Sequence, residues 1–182
     1  MPFLLIHGPF GIGKSTTAQL VSERLPDAGL FDPELVGTFL AQVLGREALG
    51  DDYQDMPLWR HLVIDIGLRL QQEWRPLLII PMNLWRFDYF SEIVSGWGRT
   101  GETVIPIRLT CSPETLRRRI LSRPTSEGGH AWCLSHLDSG LAAANDPRFG
   151  TPIDTEGLDP ATVANLVIAA FTSRVDPHAS ND

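Results

Sequence analysis

The chain has 182 residues, 43% of them hydrophobic and 20% charged, which supports a folded core and excludes wholesale disorder. A formal net charge of -7, from 15 basic and 22 acidic residues, argues against polymeric nucleic acid as a partner, although a single phosphate chain needs only a local cradle. Two cysteines, Cys111 and Cys133, are too few for a disulfide framework, the five histidines form no ligand spacing, and no apolar run is long enough for a transmembrane segment. A cytoplasmic protein is expected, with one domain over residues 1–175 and a frayed tail over 176–182.

The first apolar run, residues 3–6, reads as a buried strand and leads through a glycine-rich turn into a helix over 14–25. A second strand is expected at 29–31, after which Asp32-Pro33 opens a helix to about residue 44: a capping side chain precedes a proline whose missing N–H costs nothing there. Asp55-Met56-Pro57 opens another helix, to about residue 74, followed by strands at 77–80 and 104–109. Ser112-Pro113 starts a helix to about 122, and residues 124–129 read as a mobile loop before an Ala-rich segment through 144. A last strand at 151–154 and a helix from Asp159-Pro160 to about 174 close the chain. Buried strands alternating with helices predict an α/β fold, a five-stranded parallel sheet covered on both faces.

Within this frame, Gly8-Pro9-Phe10-Gly11-Ile12-Gly13-Lys14-Ser15 matches the Walker A pattern without a gap, between a strand and a helix as that pattern requires. The glycines let successive N–H groups face phosphate oxygens, Lys14 adds a point charge for the β- and γ-phosphates, and the Ser15 hydroxyl is the expected Mg²⁺ ligand. Residues 8–16, through Thr16, are therefore the expected ATP-binding segment. The run Leu77-Leu78-Ile79-Ile80-Pro81-Met82 ends without a carboxylate, which weakens an ATPase reading, and no Asn-Lys-x-Asp sequence supports a GTPase.

Asp32 and Glu34 follow the second strand, whose far end opens into the ligand crevice of a parallel sheet. Asp32 either caps its helix or orients an acceptor hydroxyl, and one carboxylate can do both. Arg119 and Arg123, four residues apart on one expected helical face, either clamp phosphates as a lid closes or belong to a solvated basic face. Arg60 and Arg86 are candidates for contact with an acceptor. Trp59, Trp85 and Tyr89 are candidates for stacking or for the core.

These residues resemble P-loop nucleotide kinases and antibiotic phosphotransferases, and among them the tunicamycin-resistance ATP-binding proteins. Beyond the phosphate loop, the resemblance runs through Asp32-Pro33-Glu34, Val36-Gly37, Asp52-Tyr53-Gln54, Pro57-Leu58-Trp59-Arg60, Ile80-Pro81-Met82, Tyr89-Phe90, Glu92-Ile93 and Glu114-Thr115-Leu116 with Arg119 and Arg123, most of residues 1–123. It implies a nucleoside-monophosphate-kinase-like three-layer sandwich with a lid over about 119–135. The implied ligands are ATP with Mg²⁺ and a nucleoside-like small molecule, tunicamycin or another uridine-containing compound, which the protein either phosphorylates or holds. A housekeeping nucleotide kinase is the less favoured alternative, because the Asp-Gly-x-x-Arg acceptor signature does not follow the third strand.

Overall fold

A computed structural model describes residues 2–124 and 129–175. Five strands, β1 (Phe3–His7), β2 (Ala28–Leu30), β3 (Leu77–Met82), β4 (Val104–Thr110) and β5 (Thr151–Asp154), form one parallel sheet in the order β2-β3-β1-β4-β5. All five expected strands are present to within two residues at either end. β1 lies at the centre and every one of its residues is buried, as a strand hydrogen-bonded on both sides and covered on both faces must be.

The pleat sorts β1 into two cores. Phe3 and Leu5 join Leu78, Ile80, Trp59, Phe90, Ile93 and Trp97 on one face, beneath α2 (Glu34–Leu44), α3 (Pro57–Glu73) and α4 (Phe87–Gly98). Leu4 and Ile6 join Ile79, Ile107, Leu116, Ile120, Val163 and Val167 on the other, beneath α1 (Lys14–Arg24), α5 (Pro113–Ser122) and α8 (Pro160–Val175). The result is a helix–sheet–helix sandwich, with α6 (Gly129–Ser135) and α7 (Leu137–Asn145) following α5.

Three of the expected caps form. Asp32 Oδ1 accepts the Glu34 N–H at 2.9 Å, Ser112 Oγ accepts the Thr115 N–H at 3.2 Å, and Asp159 Oδ1 accepts those of Ala161 and Thr162 at 2.9 and 3.0 Å. Asp55 differs: Met56 occupies the position before α3 and makes no side-chain cap, while the Asp55 carboxylate accepts the Tyr89 hydroxyl at 2.8 Å. α4 was not anticipated, although Phe90, Ile93 and Trp97 bury at helical spacing. Of the expected mobile loop, residues 125–128 lie outside the described residues, as does the whole tail, 176–182.

Candidate functional site

β1 ends at His7, and the chain turns over the carboxyl edge of the sheet through Gly8–Gly13 before Lys14 begins α1. This turn demands glycine for two different reasons. Gly11 has φ +81°, and a Cβ there would stand 2.7 Å from Ile120 Cγ1, so α5 presses directly on the loop. At Gly13 a Cβ would meet nothing within 4 Å, and the constraint is φ +107° alone. The loop is held by the Ile12 N–H to Pro9 carbonyl bond and by Lys14, whose Nζ donates to the same Pro9 oxygen at 3.0 Å.

Lys14 is 8% exposed, and burial is the main reason its ammonium titrates at about 8. Glu34 and Asp32 oppose that shift and Arg123 adds to it. The cleft in front of the loop has a volume of about 360 Å³ and is lined by Lys14, Ser15, Asp32, Glu34, Arg119 and Arg123 among others. Phe10, Gly11, Gly13 and Thr16 also face it, whereas Gly8, Pro9 and Ile12 of the expected ATP-binding segment do not. The structure thus brings Lys14, Ser15, Asp32, Glu34, Arg119 and Arg123 to one cavity from three helices, α1, α2 and α5, and the residues that flank two of them. Desolvation, then the neighbouring Asp32, raises the Glu34 carboxyl, with Lys14 and Arg123 pulling the other way. Among the described residues Asp32 Oδ2 makes no hydrogen bond, so the cap engages only one oxygen.

The two arginines expected in a lid differ. Arg119 is wired into the protein: Nη1 donates to Thr155 Oγ1 at 2.8 Å and to the Ile12 carbonyl at 3.3 Å, and Nη2 donates to the Thr155 carbonyl at 2.8 Å. Arg123 lies past the end of α5 in extended backbone, so the expected shared helical face does not extend to it. Behind the loop, Gly11, Gly13, Thr17, Arg119, Thr155 and Leu158 surround a second recess of about 140 Å³. Sequence reading missed Thr155 and Leu158, which enter only because β5 lies beside β4.

Arg60 and Arg86 do not line the cleft. The Arg60 side chain is buried and gives Nε–H to Glu92 Oε2 at 2.7 Å and Nη1–H to the Gln54 carbonyl, while Arg86 pairs with Asp88 at 2.6 Å. Their guanidinium carbons lie 4.0 and 4.2 Å from the Tyr89 ring centroid. Of the candidate stacking rings, Trp59 is buried in the core with its Nε1–H on the Pro33 carbonyl, 3.1 Å away. Trp85 instead joins Phe10 of the phosphate loop, Trp132 and His136, with centroid separations of 4.9 Å to His136 and 6.1 Å to Phe10.

Close to this carboxyl edge, several buried polar atoms find no partner among the described residues: His7 Nδ1, Gln54 Oε1, and both amide atoms of Asn83. Each such atom left unsatisfied costs about 1–3 kcal/mol. His7 Nε2 is satisfied by the Leu84 carbonyl at 2.7 Å, and burial pushes the imidazole down to about 4. No group of three or more metal-ligating side chains occurs among the described residues, and no helix in them is long and apolar enough to cross a membrane.

Strand order and phosphate-loop position together define an α/β protein with a P-loop kinase-like fold. The structure is similar to that of the tunicamycin resistance protein of Deinococcus radiodurans, at 28% identity and TM-score 0.76, over 93% of this chain and 95% of that one. It shares its fold with a gluconokinase from Sinorhizobium meliloti 1021 (13% identity, TM-score 0.68, 97% and 94% of the two chains). A shikimate kinase from Bacteroides thetaiotaomicron has the same fold (14% identity, TM-score 0.57, 96% and 98%). No protein-family model and no curated protein sequence matches the chain. The likeness to the tunicamycin resistance protein spans nearly the whole of both chains, and the resemblance read from the sequence points the same way.

Proposed function

We propose that the protein transfers the γ-phosphoryl group of Mg·ATP to a hydroxyl of a neutral, nucleoside-like acceptor such as tunicamycin, and that this transfer is the basis of resistance. The observation that carries this reading is the meeting of Lys14 and Ser15 with Asp32 and Glu34 across one cleft, phosphate-binding groups facing carboxylates. The fit to a nucleotide rests on the loop itself, whose positive-φ glycines keep side chains away from where phosphate oxygens would lie. ATP supplies the phosphoryl group, and Mg²⁺ would be held by the Ser15 hydroxyl and offset charge on the phosphates.

In this reading Lys14 turns from the Pro9 carbonyl to the phosphates. Asp32 takes the acceptor's hydroxyl proton as that oxygen bonds to phosphorus and ADP leaves. Arg123 stabilises charge on the transferring oxygens. Arg119 fixes the phosphate loop to the β5–α8 turn and, with Thr155 and Leu158, shapes the recess in which the adenine base would sit. The working unit is one domain over 1–175, with 119–135 as its lid, acting in the cytoplasm.

A second reading, capture of the antibiotic without transfer, draws on the end of β3, where Pro81, Met82 and Asn83 supply no carboxylate. Mass spectrometry separates the two after incubating the protein with Mg·ATP and tunicamycin or uridine. Transfer adds a phosphoryl group, about 80 Da, to the acceptor and makes an equal amount of ADP. Tight binding with neither product favours capture.

A further inference from the structure

We infer that the side-chain amides of Gln54 and Asn83 read the acceptor, and that they select a neutral edge carrying both a hydrogen-bond donor and an acceptor over an anionic group. The inference rests on the proposed acceptor function and assigns the residues that determine its specificity.

Both side chains belong to the interior. Gln54 is 3% and Asn83 4% exposed, yet among the described residues Gln54 Oε1, Asn83 Oδ1 and Asn83 Nδ2 have no partner. Exchanging the ends of the Asn83 amide changes nothing, because neither end is bonded. The two residues are fixed to each other, the Gln54 Nε2–H donating to the Asn83 carbonyl at 2.8 Å. Gln54 is further held by its own N–H on Asp52 Oδ1 at 2.9 Å and by Arg60 on its carbonyl. Gln54 is therefore positioned by bonds to the backbone, while three of the four polar side-chain atoms of the pair, Gln54 Oε1 and both ends of the Asn83 amide, go unused.

Their place in the fold is the one at which parallel sheets hold ligands. Asn83 directly follows β3, whose last residue, Met82, is in register with His7, the residue before the phosphate loop. Pro81, two residues earlier, already lines the phosphate cleft. Met56 and Trp59 just beyond Gln54 pack in the same core as Val36, and Trp59 bonds the Pro33 carbonyl beside Asp32. Gln54 and Asn83 do not themselves line the cleft; they lie buried behind it, linked to it through Pro81 on β3 and through Trp59 and Pro33 beside Asp32.

The charge pattern decides the ligand class. An anionic acceptor calls for a free guanidinium, but Arg60 is committed to Glu92 and Gln54, and Arg86 to Asp88. What is left is one N–H₂ donor and two carbonyl acceptors, complementary to the imide edge of a pyrimidine base or to neighbouring sugar hydroxyls.

Calorimetry on the full chain with Mg²⁺ and a non-hydrolysable ATP analogue tests this with uridine, uridine 5′-monophosphate, ribose and gluconate as probes. Uridine or ribose is expected to bind, uridine identifying the base edge and ribose the hydroxyls, with the two anions at least about tenfold weaker. Asn83→Leu is expected to weaken the bound neutral probe at least about tenfold and leave analogue affinity unchanged, without lowering Tm, since the leucine removes two unpartnered atoms. Gln54→Glu, which keeps the shape and adds a charge, should also lose the neutral probe. Binding of gluconate or the monophosphate in preference to both neutral probes, failure of both neutral probes to bind, or neutral-probe binding unaltered in Asn83→Leu would overturn the inference. The last result would mean that water satisfies the amides. Loss of phosphoryl transfer with neutral binding intact strikes the transfer reading alone.

Discussion

On the side of the cleft proposed for phosphate, two of the cations are already bonded to the protein: Lys14 to the Pro9 carbonyl, Arg119 to the Ile12 carbonyl and to both oxygens of Thr155. On the β3 side the charges are cancelled among themselves, Arg60 by Glu92 and Arg86 by Asp88, and the groups left without partners are neutral amides. A site that must grip a constant, highly charged ligand is built from backbone geometry and cations held ready, because a phosphate chain offers only acceptors. A site that must tell one small molecule from another leaves specific neutral groups unsatisfied, because an ill-matched partner then pays for burying them. The two halves should respond to mutation accordingly.

The largest effect is expected on the phosphate side. Lys14→Ala removes the charge at the mouth of the loop and should lower transfer by about a thousandfold and ATP affinity by at least about tenfold. Calorimetry and turnover on the folded variant check this, and unchanged ATP affinity would sink the nucleotide assignment. Next is Asp32→Asn, where the amide oxygen can still accept the Glu34 N–H now held at 2.9 Å, so Tm should not move. Turnover should fall by about a hundredfold if the carboxylate takes the hydroxyl proton. Normal turnover would leave Asp32 a helix cap only.

How much of this could be read from the chain differs between the halves for the same physical reason. The phosphate loop is eight contiguous residues whose backbone needs force glycine at fixed offsets, so it stands out in one dimension. The strands were legible because a parallel sheet covered on both faces makes each one an unbroken apolar run, as in Phe3-Leu4-Leu5-Ile6. Gln54 and Asn83 are 29 residues apart, and their pairing depends on how residues 53–60 fold back onto β3. Neither residue type announces chemistry by itself. Arg60 and Arg86 were legible as charges but not as pairs, since their neutralisation by Glu92 and Asp88 needs the spatial contacts. The end of α5 at about residue 122 was legible, but the four-residue spacing from Arg119 was carried one residue past it, to Arg123, which lies in extended backbone.

His7 links the halves, stacked on Phe149 at 4.8 Å and bonded to the Leu84 carbonyl beside Asn83. Its folded value of about 4 lies below the ordinary 6.5, so between these the unfolded chain holds more protons than the folded one. Stability contributed by the neutral buried ring is therefore complete above about pH 6.5 and lost as pH falls towards 4, a decline of about 3 kcal/mol. His7→Gln, which can retain the donor to Leu84, should flatten this window in denaturant titrations. An unchanged slope would mean that other groups carry the acid response.

The smallest effect separates Arg119 from Arg123. Arg119 is bonded to protein atoms before any ligand arrives, so Arg119→Ala should loosen the phosphate loop and weaken ATP binding as well as turnover. Arg123 touches the loop only through its field, which helps to lower Lys14 to about 8. ATP affinity requires the charged lysine and should therefore decline as pH rises above about 8, by at most about tenfold per unit. In Arg123→Ala that decline should begin at higher pH, because a neighbouring positive charge no longer favours the neutral amine. Arg123→Lys restores a charge but not a planar fork, so it should return the pH limb to its parental position while leaving turnover low. Calorimetric ATP affinity between pH 7 and 10, run beside steady-state turnover, measures both. If the lysine variant rescues turnover together with the pH limb, Arg123 acts as a point charge alone, and if the alanine variant moves neither, its field does not reach the cradle.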